Sequence, residues 1–291
     1  MNSIKKILVN IIALMLVVVS CFAMTACTGE DIVQVELTIS VYNYGEDLED
    51  ETDDEGVKTD VKLNVDLYRH LAPNTVKQIL NYIKAGYYND TVFYKIDGGE
   101  NKFPGQIMLG DLKADANGVT QNDIMPTIDG EFEHGGVTGS NLTAKKGSIG
   151  LWRNWKKRLQ DEGYQGSNDS MDTGRATWFM PTKTLSDYNG WFCIFAQFDT
   201  SSDAYELIET ALTQNKEEYV IYYTGEYTAD NNNNNGLTFN CVPADGYDAE
   251  EIDGLFEAED GQLTCYNPYT VQIPVDKSGN VTAKVTSVKV K

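Results

Sequence analysis

Histidine and positive charge are scarce in this chain, and each scarcity excludes a class of site. Only two of the 291 residues are histidines, and neither His70 nor His134 has a carboxylate or cysteine partner at the spacing of a metal site. The sequence contains no Ser-His-Asp or Cys-His pattern, no phosphate-binding loop and no dinucleotide fingerprint. The 23 lysines and arginines are outnumbered by 44 acidic residues, and the net charge of -21 argues against a nucleic-acid partner. We therefore expect neither a metal nor another cofactor.

Cysteine is also scarce, and its five positions fall into two groups. Cys21 and Cys27 lie at the end of an apolar run near the N-terminus, whereas the other three belong to the body of the chain. Cys193 lies in an apolar strand pattern, so we expect a buried and inert thiol. Cys241 and Cys265 flank an acidic segment and can pair outside the cytosol. Their spacing alone does not establish a disulfide.

Residues 1–27 have the pattern of a targeting segment and are set apart from the fold. Two lysines precede a nearly unbroken apolar run that reaches Met24, and a small residue followed by Cys27 ends the segment. This ending resembles a bacterial lipobox, and Cys27 fits better than Cys21 because polar sequence begins directly after it. An uncleaved membrane helix is the alternative. We predict an extracytoplasmic protein held at the bacterial cell membrane by its lipid, since an acidic chain has no electrostatic hold on anionic lipids.

Alternating apolar and polar residues predict that the chain from 28 to 291 is one mainly β domain with insertions. Residues 33–42 and 61–67 alternate in this way and are predicted to form two paired strands. Further strands are predicted at 91–96, 106–109, 147–152, 177–180, 191–198 and 281–290. Strands therefore dominate the predicted structure.

Two segments have the apolar spacing of amphipathic helices. The first begins at Pro73, with Asn74 as its N-cap, and ends at Gly86. The second covers residues 203–212. One early and one late helix among many strands favour a closed antiparallel barrel that is capped by two helices.

Three segments interrupt this pattern and are predicted to be insertions. The first covers about 46–56, and residues 46–55 carry eight acids in ten positions. Such charge predicts a solvated hairpin tip; a calcium loop is the alternative, although the ligand spacing of a known motif is missing. The second insertion, 153–176, is a long polar loop. The third, 214–270, contains a run of asparagines and a tyrosine-rich strand at 219–223, so we expect part of it to be ordered.

Eight short blocks of the chain follow one another in the order found in a known enzyme family. They are Asp66-Leu67-Tyr68, Ala72-Pro73-Asn74-Thr75-Val76, Gly86-Tyr87-Tyr88-Asn89-Asp90-Thr91-Val92-Phe93-Tyr94-Lys95-Ile96, Pro104-Gly105 with Met108-Leu109-Gly110-Asp111, Ile128-Asp129-Gly130-Glu131-Phe132, Lys146-Gly147-Ser148-Ile149-Gly150-Leu151, Ala176-Thr177-Trp178-Phe179-Met180 and Asn189-Gly190-Trp191-Phe192-Cys193-Ile194-Phe195-Ala196. Together they resemble the cyclophilin-type peptidyl-prolyl cis-trans isomerases. The resemblance implies a closed antiparallel eight-stranded β-barrel capped by two α-helices. We expect a monomer that binds proline-containing or extended polypeptide segments.

The family's polar catalytic side chains are replaced at the matching positions. Its catalytic arginine falls on Lys95, which keeps the charge but lacks the planar fork. Its first glutamine falls on Met108 or Leu109, and its second on the shorter Thr177. A histidine of the family falls on Phe192. The resemblance thus implies a catalytic role for Lys95 and a lowered isomerase activity; a solubilising cation at a strand edge is the alternative reading of Lys95.

The apolar floor of the family's proline pocket is better preserved. Phe179 keeps the pocket phenylalanine, Leu151 stands at a methionine position and Tyr188 at a leucine position. The resemblance implies that the substrate is bound by Phe93, Met108, Leu109, Leu151, Thr177, Phe179, Tyr188 and Phe192. Arg153 and Arg175 flank the second insertion and are candidates for a substitute guanidinium. Structural loop contacts are the alternative for both arginines.

Two functions of different classes are consistent with these residues. The first is a membrane-anchored extracytoplasmic isomerase with weakened activity that assists the folding of secreted proteins. The second is a catalytically inactive cyclophilin-like module that binds peptides or an envelope partner. Residues 152–158 form a basic and aromatic patch, which either grips an acidic peptide, a cell-wall polymer or lipid head groups, or packs on the barrel.

Overall fold

Antiparallel strand pairing dominates the computed structural model, which describes residues 31–43, 57–96, 105–115, 118–137, 142–153, 172, 174–214, 216–224, 238–246, 265–276 and 279–291. Within these ranges the chain from Val33 to Lys291 forms one compact unit. The predictions for Cys21, Cys27 and the acidic segment 46–56 lie outside the described residues, as does most of 153–176. None of the described helices is long and apolar enough to cross a membrane.

The regular structure of the described residues consists of strands and two α-helices. The strands are β1 (Ile32–Asn43), β2 (Val57–Tyr68), β3 (Tyr94–Ile96), β4 (Gln106–Leu109), β5 (Leu112–Asp115), β6 (Gly118–Gln121), β7 (Ser148–Leu151), β8 (Trp178–Pro181), β9 (Ile194–Phe198), β10 (Lys216–Thr224), β11 (Thr238–Pro243), β12 (Cys265–Pro274) and β13 (Ala283–Val290). The helices are α1 (Pro73–Lys84) and α2 (Asp203–Gln214). Each predicted strand and helix is present, with ends that differ by a few residues.

Among the described residues, eleven strands form one sheet in the order β11-β10-β12-β3-β4-β8-β7-β9-β2-β1-β13, and β5 pairs with β6 in a separate hairpin. The prediction of a mainly β fold with two helices is confirmed. The prediction of a closed eight-stranded barrel is not, because β11 and β13 remain as the two edges of the sheet. The segment 214–270 supplies β10, β11 and part of β12, which extend the sheet beyond β3.

Main-chain hydrogen bonds also join the residues just before β3 to the edge strand β13. Val285 N donates to Thr91 O at 2.9 Å, and Phe93 N donates to Ala283 O at 3.2 Å. The pairing amounts to one isolated bridge between the two segments. The chain before β3 therefore lies beside β13 without a continuous ladder that closes the sheet.

Two hydrophobic cores form because successive side chains of a strand project to opposite faces of the sheet. We call them the helix-side core, which takes in the apolar faces of α1 and α2, and the second core. The helix-side core includes Leu37, Leu63, Val65, Val76, Ile79, Phe93, Ile107, Leu109, Leu151, Trp178, Phe195, Tyr205 and Leu212. The second core includes Val92, Tyr94, Met108, Leu112, Phe179, Leu185, Tyr188, Phe192, Ile194, Tyr219, Ile221, Val271 and Ile273. The strands β4 and β8 contribute alternate residues to both.

Helix α1 is capped by a side chain that is distant in sequence. Its N-cap residue is Ala72, without a side-chain cap, so the prediction of Asn74 as the N-cap is wrong. Instead, the buried carboxylate of Glu131 accepts a hydrogen bond from Asn74 N at 2.9 Å and one from Thr75 N at 2.7 Å. A carboxylate is favoured there because the first amides of a helix are unpaired and carry partial positive charge.

The Glu131→Gln variant is expected to lower the free energy of unfolding by about 1.5–3 kcal/mol, the contribution of hydrogen bonds to a charged group. The amide removes the negative charge and leaves one helix amide facing an NH₂ group. Urea unfolding measures the loss, and Glu133→Gln is the control because Glu133 is exposed. Equal stability of the two variants would contradict the capping role of Glu131.

The cysteine positions agree in part with their predictions. Cys193 is buried as expected, and burial raises the pKa of its thiol to about 12. Cys241 is a free thiol, so the disulfide that the sequence left open is not formed. Cys241 pairs with Ile221 of β10 on one side, whereas Cys265 pairs with Thr224 on the other side. The two cysteines thus lie on opposite sides of β10 and are offset along it, because their partners Ile221 and Thr224 are three residues apart. Their separation exceeds the width of β10, about 9–10 Å, and hence the reach of a disulfide of about 7 Å.

Candidate active site

Phe179 lies at the centre of a buried group of aromatic rings in the second core. It belongs to β8, where it pairs with Met108 of β4 on one side and Gly150 of β7 on the other. Its side chain is fully buried, with 0% exposure. A Cβ atom at Gly150 would lie 2.3 Å from two carbons of the Phe179 ring. Glycine at 150 therefore makes room for the ring.

Three further rings contact Phe179, and we call the four rings with Met108 the aromatic site. The rings of Tyr188 and Phe192 are stacked with centroids 4.5 Å apart, and Phe179 meets both edge-on at 5.5 and 5.2 Å. Trp152 stacks on Phe192 at 5.5 Å and meets Phe179 edge-on at 6.1 Å. Stacked and edge-on arrangements are the favourable ones for aromatic pairs. The site is therefore a packed apolar surface, with Phe192 only 1% exposed.

The strands of the segment 214–270 contribute to the same core as the aromatic site. Tyr219 and Ile221 of β10 and Val271 and Ile273 of β12 belong to the second core together with Phe179. Phe239 and Cys241 of β11 are partly buried against it. This segment, predicted as an insertion, thus adds apolar wall to the site face of the sheet.

Lys95 lies on the opposite face of β3 from the aromatic site. It pairs with Ile107, whose side chain belongs to the helix-side core, whereas Tyr94 pairs with Met108 of the aromatic site. Residues directly opposite in a ladder share a face. Burial lowers the pKa of Lys95, nearby Lys216 lowers it further and Glu209 of α2 raises it.

The other predicted substrate-binding residues divide between the two faces. Met108, Phe179, Tyr188 and Phe192 come together in the aromatic site. Phe93, Leu109 and Leu151 belong to the helix-side core. Thr177 is half-buried, and its carbonyl accepts a hydrogen bond from Trp152 N at 2.8 Å.

Arg153 contacts the aromatic site, whereas Arg175 is held elsewhere. The guanidinium carbon of Arg153 lies 5.1 Å from the centroid of the Phe192 ring, and Nε donates to Trp191 O at 2.8 Å. Burial lowers the pKa of Arg153 to about 10, so the group is charged at neutral pH. Arg175 donates through Nη1 to the carbonyl of Met125. Of the two predicted substitute cations, only Arg153 is adjacent to the aromatic rings.

A tyrosine–aspartate pair next to the site was not predicted from the sequence. The Tyr94 hydroxyl lies 2.9 and 2.8 Å from the two carboxylate oxygens of Asp111, to which it donates. Burial raises the pKa of Asp111 to about 6, although the hydrogen bond from Tyr94 lowers it. Both residues lie in the quoted family blocks, but nothing in the sequence shows that they touch. No group of three metal-ligating side chains is found in the described part of the chain.

The Asp111→Asn variant is expected to flatten the pH dependence of stability between about pH 4 and pH 6. Because the folded pKa of about 6 lies above the ordinary value of 3.8, the protonated carboxyl favours folding. This stabilisation is complete below pH 3.8 and is lost as the pH rises through about 6. Relative to the variant, the wild type should lose about 2–3 kcal/mol of unfolding free energy over this range.

Urea unfolding at a series of pH values measures this difference. Tyr94→Phe is the matched control, because it removes the hydrogen bond that lowers the pKa of Asp111. It should shift the loss of stability to higher pH. Identical pH profiles for the wild type and Asp111→Asn contradict the role of Asp111.

Comparison with known proteins gives one family and related structures. The family model for cyclophilin type peptidyl-prolyl cis-trans isomerase/CLD matches residues 54–224. The chain is similar to a cyclophilin type peptidyl-prolyl cis-trans isomerase of Cryptosporidium parvum, with 18% identity, a TM-score of 0.36 and coverage of 62% of this chain and 83% of that one. Its crystal structure in the presence of the dipeptide Ala-Pro gives 19% identity, a TM-score of 0.34 and coverage of 60% and 83%. No curated protein matches the chain.

Proposed function

Because the chain belongs to the cyclophilin-type peptidyl-prolyl cis-trans isomerase family, we propose that it rotates Xaa-Pro bonds in extended polypeptide segments at a lowered rate. The observation that carries this proposal is the aromatic site, where Phe179, Tyr188 and Phe192 form a continuous apolar surface for a prolyl ring. The reaction needs help because the rotation barrier is about 18–20 kcal/mol. Without a catalyst, rotation takes on the order of tens to hundreds of seconds.

The lowered rate follows from the side chains around the rings. A catalyst must favour the twisted amide over the planar one, which requires donors near the prolyl nitrogen and carbonyl. Met108 and Phe192 supply none, and Lys95 projects from the other face of β3. Loss of one well-placed donor costs other enzymes about 2.7–4 kcal/mol, or about a hundred- to a thousandfold in rate.

Arg153 is the cation that we propose as a partial substitute for the family's arginine. Its guanidinium is charged, buried and in contact with the Phe192 ring. A catalytic role of Lys95 stays a prediction without a contact to support it. The arrangement favours Arg153 because Coulomb energy falls with distance, and its guanidinium lies against the aromatic site whereas Lys95 projects from the other face of β3.

Within the aromatic site, Trp152 also restricts the access of a substrate to the Phe179 and Phe192 rings. It packs against both Phe192 and Phe179, whose exposures are 1% and 0%. A prolyl ring must displace this indole before it contacts Phe179. We therefore propose that the observed arrangement is a covered state of the binding site.

A protease-coupled assay on an Ala-Ala-Pro-Phe peptide tests the proposed activity. The protein at micromolar concentration is expected to accelerate isomerisation above the uncatalysed rate. A heat-inactivated sample is the control. No acceleration overturns the proposed isomerase activity, whether or not the peptide binds.

We further propose that the protein acts outside the cytoplasm as a lipid-anchored monomer and assists the folding of secreted proteins. The apolar run that ends before Cys27, and its resemblance to a lipobox, support this location. Labelling of the protein with radioactive palmitate in a bacterial host tests the lipid anchor: Cys27→Ala should lose the label, and Cys21→Ala should keep it. Loss of the label in Cys21→Ala alone identifies the other cysteine, and a wild type without the label contradicts lipid anchoring.

A non-catalytic peptide-binding module is the second candidate function. The observation that favours it is the apolar character of the aromatic site, where Phe192 falls on a histidine position of the family. Such a module binds the Ala-Ala-Pro-Phe peptide without accelerating its isomerisation. Binding and rate measured on the same sample separate the two functions.

A further inference from the structure

Gln106 is a buried amide on the face of β4 that carries the aromatic site. It pairs with Pro181 of β8, two residues before the pair formed by Met108 and Phe179. Because side chains two residues apart on a strand project to the same face, Gln106 lies beside Met108 and next to the second core. Gln106 is only 1% exposed.

Within the part of the chain that the structure describes, neither Gln106 Nε2 nor Oε1 makes a hydrogen bond of ordinary geometry. The nearby amide of Gln106 offsets part of the rise in the pKa of Tyr188 that burial causes. An unpaired buried amide destabilises a fold, since it gives up its bonds to water without replacement. An apolar side chain of similar size would avoid this cost.

The donor and acceptor groups of Gln106 are complementary to those of a peptide main chain. A glutamine side chain offers a carbonyl acceptor and an NH₂ donor, and the main chain of an extended peptide offers N–H and C=O groups in return. The family's first glutamine falls on Met108 or Leu109, and neither side chain has such groups. Gln106 provides an amide two residues before Met108, on the same face of the same strand.

We propose that Gln106 binds the main chain of the peptide substrate, with Nε2 donating to a peptide carbonyl and Oε1 accepting from a peptide N–H. The inference rests on the proposed function of the aromatic site. It assigns the substrate as an extended segment whose prolyl ring contacts Phe179 while its backbone reaches Gln106. The Tyr188 ring is also buried. Binding of the peptide therefore requires the Trp152 indole to move away from the other rings of the aromatic site.

The Gln106→Met and Gln106→Leu variants separate a binding role from a structural one. Removal of an unpaired buried amide should raise the thermal stability of the protein, because the variants bury no unsatisfied polar group. Affinity for a fluorescein-labelled Ala-Ala-Pro-Phe peptide, measured by fluorescence anisotropy, should fall about five- to a hundredfold. Gln197→Met is the matched control, since Gln197 Oε1 accepts a hydrogen bond from the Tyr68 hydroxyl at 3.0 Å. The control should lose stability and keep its affinity.

Each outcome of this experiment decides the question. Higher stability with lower affinity supports the binding role of Gln106. Unchanged affinity in both variants, with a wild type that binds the peptide, overturns this inference and leaves the proposed function intact. Lower stability in both variants shows that the amide is structural and also overturns it. A wild type that neither binds nor isomerises the peptide overturns the proposed function itself.

Discussion

The Trp152→Ala variant is expected to isomerise an Xaa-Pro peptide about ten to a hundred times faster than the wild type. Trp152 stacks on Phe192 and meets Phe179 edge-on, so its indole competes with a prolyl ring for the same surface. Aromatic contacts of this kind contribute about 0.5–1.5 kcal/mol beyond the area they bury. A covered state stabilised by about 1.4–2.8 kcal/mol reduces the apparent affinity about ten- to a hundredfold.

The same substitution should lower stability by about 1–3 kcal/mol, because it removes a half-buried ring from the second core. A rise in rate together with a fall in stability is therefore the expected pattern. Trp191→Ala is the matched control, since Trp191 stacks on His134 with centroids 3.8 Å apart. That control should lose stability without a gain in rate. An equal or lower rate for Trp152→Ala contradicts the covered state.

The Gly150→Ala variant is expected to destabilise the protein and to abolish peptide binding. Its new Cβ atom would lie 2.3 Å from Phe179 Cε1 and Cζ and 2.8 Å from Ile194 Cδ1. Overpacking of a buried site costs about 1–3 kcal/mol, and relief of the clash requires the Phe179 ring to move. Because the new methyl group displaces the Phe179 ring itself, the affinity for the peptide should fall by more than the loss of folded protein explains.

A double variant tests whether the effect passes through the ring. Phe179→Leu removes the two ring carbons that the new methyl group would strike. In the Gly150→Ala background it should restore part of the lost stability, whereas in the wild type it should reduce stability. Peptide binding should stay low in the double variant, since the aromatic floor is gone. Additive losses of stability would show that Gly150 and Phe179 are not coupled.

The local elements of the fold could be predicted from the sequence because their signals are local. The apolar spacing of α1, with Val76 and Ile79 on one face, predicts the helix that is observed. Alternation in β1 and β2 likewise predicts those strands. The capping of α1 by Glu131 could not be predicted, because the two are 57 residues apart and no local pattern joins them.

The faces of the site could not be predicted from the matching blocks alone. A block match places Lys95 along the chain, but a register difference of one residue moves a side chain to the other face of a sheet. The pairing of Lys95 with Ile107 therefore separates it from Phe179. The packing of Trp152 on Phe192 could not be predicted either. A tryptophan at the start of a basic patch carries no sequence signal for such a contact.

In the segment 214–270, a strand could be predicted from the sequence but its pairing partners could not. Its tyrosine-rich strand was predicted and is part of β10. The pairing of β12 with β3 was not predictable, because it depends on contacts between residues far apart in sequence. That pairing extends the sheet beyond β3.

The central claim is that isomerase activity resides on the Phe179 face of the sheet rather than at Lys95. The most direct test is the protease-coupled isomerisation rate of the wild type and of Lys95→Ala, a half-buried position whose truncation leaves both cores intact. The account predicts a weak but measurable acceleration by the wild type and the same acceleration by Lys95→Ala. Loss of the acceleration in a folded Lys95→Ala protein would contradict the account and identify Lys95 as the catalytic side chain.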